Sequence, residues 1–109
     1  MKVAIIGSRS ITDADLDSLV PSDATEIISG GALGVDALAR AWAEERGLPC
    51  REIRPEYRRY GKAAPLKRNA DIVREADLVI AIWDGASRGT AAAIEECRRT
   101  GTPCRIVRK

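Results

Sequence analysis

Thr25-Glu26-Ile27-Ile28-Ser29-Gly30-Gly31-Ala32-Leu33-Gly34-Val35-Asp36-Ala37-Leu38-Ala39 is the stretch that decides the fold. It opens on a short β-rich run, passes through three glycines in five residues, and enters a helical pattern. Val35, Leu38, Ala39, Trp42 and Ala43 follow i, i+3, i+4, i+7, i+8 spacing, the mark of one buried helical stripe. The spacing predicts a helix over Val35–Arg46, ended by Gly47. A strand handed through a glycine turn to a helix is the repeating unit of a parallel α/β sheet.

Two further turns have the same construction. Gly7-Ser8-Arg9-Ser10 follows Val3-Ala4-Ile5-Ile6, and Asp84-Gly85-Ala86-Ser87-Arg88-Gly89-Thr90 follows Leu78-Val79-Ile80-Ala81-Ile82-Trp83. The last strand is nearly all apolar, as a central strand covered on both faces should be. Working outward, strands are predicted at about 2–6, 25–29, 50–53, 78–83 and 104–107. The remaining helices fall at about 13–20, capped by Thr12, then 65–76 with Pro65 in the first turn, and 90–100 before Gly101 and Pro103. A polar loop over 54–64 separates the third strand from its helix. Right-handed crossovers make this one three-layer, Rossmann-like α/β domain over 1–109, with a five-stranded parallel sheet in the order 3-2-1-4-5. That order places the switch point between strands 1 and 4 and gathers the three turns on one edge.

Composition narrows the function classes. The chain is 45% hydrophobic and 31% charged, which suits a globular domain and excludes disorder. No apolar run approaches the ~20 residues a membrane span needs, and the first residues do not form a secretory signal; a cytoplasmic location is expected. With no His and only Cys50, Cys97 and Cys104, no structural zinc site and no His-based catalytic unit is available. The cysteines read as buried free thiols, and Trp42 as a core residue. Net charge is +2, but residues 51–68 carry seven basic side chains against Glu52 and Glu56, so that segment is +5 and the rest of the chain −3. Such a patch can steer an anionic partner.

Free N–H groups at helix N-termini attract anions, phosphate above all. Gly30, Gly31 and Gly34 in one turn, and Gly85, Gly89 and Thr90 in another, permit close backbone approach to a phosphate. Arg9, Arg68 and Arg88 are the matching cations, because guanidinium forks fit phosphate oxygens. Asn69 is placed to hydrogen-bond a ribose or a neighbouring loop. Trp83 ends its strand where it can stack on a base or join the core. Asp36, in the first helical turn, fixes the glycine turn or meets a ligand hydroxyl. Neither G-x-G-x-x-G nor G-x-x-x-x-G-K-[ST] is present, which weakens an ordinary dinucleotide fingerprint and excludes a P-loop.

Ile6-Gly7-Ser8-Arg9, the Ser29–Ala39 block, Gly61-Lys62-Ala63-Ala64-Pro65-Leu66-Lys67-Arg68-Asn69 and Gly89-Thr90 occur in an order that resembles the SLOG superfamily of Rossmann-like domains. That superfamily includes the DNA-processing protein Smf/DprA and the LONELY GUY phosphoribohydrolases. The pattern is most similar to the small YspA/YpsA-like branch, over essentially the whole chain. The resemblance implies a nucleotide-derived ligand, ADP-ribose or NAD-like, with Gly7, Ser8, Arg9, Ser29, Gly30, Gly31, Gly34, Asp36, Arg68, Asn69, Trp83, Asp84, Gly85, Ser87, Arg88, Gly89 and Thr90 as the candidate binding set.

The phosphoribohydrolases carry a catalytic Glu three residues after the Thr of G-G-x-G-T-x-x-E, and here that position is Ala93. Glu95 and Glu96 leave the helix about 200° and 300° further round. The leading expectation is therefore a binding or sensor domain with no catalytic residue. An N-glycosidic hydrolase using Asp84 or Asp36 is the second reading. A nucleic-acid binder of the Smf/DprA type is the third; zero Phe and two Tyr leave it few stacking platforms. A homodimer is compatible with each.

Overall fold

The computed structural model describes residues 1–109. Five strands, β1 (Lys2–Gly7), β2 (Glu26–Ser29), β3 (Cys50–Glu52), β4 (Leu78–Trp83) and β5 (Cys104–Arg108), form one sheet in the order β3-β2-β1-β4-β5. Every neighbouring pair is parallel. The helices are α1 (Leu16–Leu19), α2 (Val35–Arg46), α3 (Tyr57–Tyr60), α4 (Ala64–Glu75) and α5 (Arg88–Thr100), with a 3₁₀ turn at Gly61–Ala63.

Alternation along the central strands builds the layers. Val3 and Ile5 of β1, with Ile27, Ile80 and Ile82, pack against Val35, Ala39 and Ala43 of α2 and against Leu16. Ala4 and Ile6, with Ile28, Val79 and Ala81, face the other way onto Ile72 and Val73 of α4 and Ala93 and Cys97 of α5. Period-two side chains thus supply two cores from one sheet. Each fully buried Ile removes enough apolar surface to contribute about 1.5–3 kcal/mol.

The predicted α2 and β4 match the structure to the residue. The helix expected over 13–20 does not. Only Leu16–Leu19 is helical, its N-cap is Asp15 with no side-chain cap bond, and Thr12 caps nothing. Ile11 is the reason. It is buried in the first core, and its N–H donates to the Ser8 carbonyl, so the chain descends irregularly before Leu16 can reach the same core. A separation of five between two buried residues suits no helical face.

The loop expected over 54–64 contains α3 and the 3₁₀ turn, and α5 starts two residues early because Ser87 caps it. Cys97 is buried, whereas Cys50 and Cys104 are only half-buried. Trp42 is also half-buried. Its indole N–H donates to Asp17 Oδ1 at 2.9 Å, so it clasps α2 to the α1 segment from the rim of the core. No helix is long and apolar enough to cross a membrane.

Candidate functional site

Because the strands are parallel, Gly7, Ser29 and Trp83 end on the same sheet edge. β1 and β4 are adjacent there, while the chain leaves β1 and β4 toward opposite faces of the sheet. The parting of the two layers opens a cleft of about 460 Å³, lined by Gly7, Arg9, Gly30, Asp36, Arg68, Asn69, Asp84, Ser87, Gly89 and Thr90 among others.

Its floor is backbone held at close range. A Cβ on Gly7 would collide with the Ile82 carbonyl and the Val35 side chain, so only glycine fits between β4 and α2. Ser8 is buried. Its N–H donates to the Ile82 carbonyl at 3.1 Å and its hydroxyl accepts from the Asp84 N–H at 3.0 Å, stitching the first turn to the third.

Asp84 organises that third turn. One carboxylate oxygen accepts from the N–H groups of Ala86 and Ser87, each at 2.8 Å, and the other from the Ser10 hydroxyl at 2.9 Å. These donors, the two backbone amides first, hold its pKa down at about 2. Ser87 then caps α5, its hydroxyl accepting from the Thr90 N–H at 3.3 Å. The N–H groups of Arg88 and Gly89 remain without a partner.

Asp36 has the opposite environment. It is 6% exposed, and burial pushes its carboxyl pKa up, opposed by the Ala32 N–H and the Arg68 charge. Its Oδ2 accepts from Ala32 N–H at 3.1 Å, so one amide of the second glycine turn is spent on a side chain of the helix that follows. Arg68 closes this wall. Nη1 donates to the Gly30 carbonyl at 2.9 Å and Nε to Asn69 Oδ1 at 2.9 Å. Burial lowers the Arg68 pKa, and the Asp36 carboxylate offsets part of that. Asn69 reaches across to the Gly89 carbonyl at 3.4 Å, joining α4 to α5.

The other candidates lie off the cleft lining. Ser29 accepts from Gly31 N–H at 3.3 Å. Gly34, at φ +71°, lets the loop pass against the Ser8 and Arg9 carbonyls. Trp83 donates its indole N–H to the Ser87 carbonyl at 3.0 Å. Gly31 packs on Arg54, Gly85 on Arg108, and Arg88 is exposed outside the lining. Ser10, Ala32, Pro65, Ile72 and Ala93 also line the cleft, and no binding role was expected of them. Ser10 carried a signal as the second serine of a turn that reads as a phosphate loop, Ala32 and Pro65 lie within the motif blocks, and Ala93 stands at the position of the phosphoribohydrolases' catalytic Glu.

Part of the basic segment is spent on ion pairs. Arg51 meets Glu26 and Glu75, Arg54 meets Glu52, and Arg59 and Lys67 have Glu56 and Asp71. No group of three or more metal-ligating side chains is gathered anywhere.

The family model of YspA, cpYpsA-related SLOG proteins matches residues 1–60, which hold the first two glycine turns. The chain belongs to this family. The matched region stops before the Gly61–Asn69 block and the third turn, so those parts of this SLOG domain rest on their own geometry. No curated protein and no solved structure matches the chain.

Proposed function

We propose that the cleft binds a nucleotide-derived small molecule, ADP-ribose or NAD-like, and that this SLOG domain serves as a binding or sensor module. One observation carries the reading. At the switch point, a single cleft is lined by Gly89, whose N–H is free at the start of α5, and by Arg9 and Arg68. Unpaired amides at a helix N-terminus and guanidinium groups share phosphate as their preferred ligand. In the second glycine turn Asp36 already takes the Ala32 N–H and Ser29 the Gly31 N–H, which favours α5 as the phosphate position and leaves Asp36 to meet a hydroxyl.

Thermal shift against a nucleotide panel tests this. A ligand at a hundredfold excess over its Kd raises stability by about 2.7 kcal/mol. Arg9→Ala is the informative variant, because Arg9 is exposed and holds no other part of the protein; it should reduce the shift without changing the unliganded melting temperature. Arg68→Ala removes two structural bonds as well as a charge, and so mixes the effects. No shift with any nucleotide refutes the reading.

One observation favours hydrolysis as a second reading: Asp36 lines the cleft with its carboxyl pKa raised, the property of a general acid. Asp84 does not share it, because three donors hold it ionised.

A further inference from the structure

Behind Arg68 lies a second hollow of about 180 Å³, between the end of β3, α3 and the first turns of α4. Arg54, Arg59, Lys67 and Arg68 line it, against Glu56 and Asp71. Arg68 lines both this hollow and the main cleft, so one side chain is their shared wall. Its Nε and Nη1 are committed, whereas Nη2 makes no hydrogen bond.

Two of the cations are poorly partnered and both lie against the Tyr60 ring. Arg59 sits 5.2 Å and Lys67 5.9 Å from the centre of the same Tyr60 ring. Glu56 reaches Arg59 only at 4.0 Å. Asp71 is taken at 2.5 Å by Arg74, which leaves Lys67 a contact of 3.9 Å. Like charges gathered on one ring, each with a long ion pair, make a site that an anion relieves. A dianionic phosphate monoester, with several acceptor oxygens, satisfies guanidinium and ammonium donors together.

We propose that this hollow is a second anion subsite, taking a phosphate monoester, and that the ligand is a nucleotide with a further phosphate group distant from the one at α5. The subsite stands on its own residues; the nucleotide as its bearer rests on the reading of the main cleft.

Inorganic phosphate, titrated into the ¹⁵N-labelled chain, separates the two. Saturating amide shifts are expected in residues 54–60 and 64–68 as well as in 87–90. Arg59→Ala combined with Lys67→Ala should abolish the first set and leave the second; both side chains are exposed, so the fold should not suffer. If shifts over 54–68 are absent, or survive the double substitution, the subsite is refuted. If shifts over 87–90 are absent while the others appear, the reading of the main cleft fails and the subsite stands.

For the ligand class, calorimetry compares ADP-ribose with ADP-ribose 2′-phosphate, and AMP with adenosine 3′,5′-bisphosphate. The extra phosphate should tighten binding about tenfold in one pair at least, and less than about threefold in the double variant. Equal affinities within both pairs, or a gain that the double variant keeps, overturn the extended ligand.

Discussion

Asp84 and Asp36 share one cleft and are driven in opposite directions by what surrounds them. Asp84 faces backbone amides, which favour its charge; its native pKa of about 2 lies below the unfolded value of 3.8. Its contribution to stability is full above 3.8 and is lost as pH falls through about 2. Asp36 is buried and its native pKa lies above 3.8, so there the folded state holds the extra proton. Its contribution falls as pH rises from 3.8 through the raised native value. Carboxyl ¹³C titration should show Asp84 titrating near the bottom of the acid range and Asp36 well above it. Asp36→Asn should flatten the loss of stability on the upper side; coincident titration of the two would contradict these assignments. Both carboxylates were legible near the site from their turns, but which is charged follows from burial, a property of the packed chain.

At the scale of elements, two glycines separate conformation from contact. Gly47 ends α2 at φ +70°, and a Cβ added there would have nothing within 4 Å, whereas at Gly34 it would lie 2.5 Å from the Ser8 and Arg9 carbonyl oxygens. Gly47→Ala should cost about 1 kcal/mol, the left-handed strain alone. Gly34→Ala should cost about 3 kcal/mol or more, because backbone must also move. Urea unfolding midpoints measure both; equal losses would mean that the loop yields freely. Both glycines were legible as turn residues, but only the tertiary approach of the first turn distinguishes them. The same division explains the helices. α2 carries a complete apolar stripe and was readable to the residue, whereas α1 is cut short by Ile11, whose burial reflects a distant core and not a local pattern.

For the whole molecule, the absence of a carboxylate at Ala93 bears on chemistry. Ala93 lines the cleft at 2% exposure, while Glu95 and Glu96 are paired outside it with Arg98 and Arg99. A general acid must reach the group it protonates. Release of free base from nucleoside monophosphates should therefore stay at background. Turnover lost on Asp36→Asn would instead promote the hydrolase reading.

Fold class and the common edge of the three turns were determined by the sequence alone, and the sheet order guessed from it is the one the structure has. Strand-to-helix periodicity and glycine turns are local signals, and the handedness of parallel crossovers leaves few ways to join them. The site was legible only as a set of turns. Which amides remain free, that Asp36 takes the Ala32 amide, that Trp83 is tied to Ser87, and that Arg51 and Arg54 of the basic segment are held in ion pairs were decided by the tertiary structure. Each depends on distances between residues brought together by folding, and hydrogen bonds and charges respond to those distances rather than to sequence spacing.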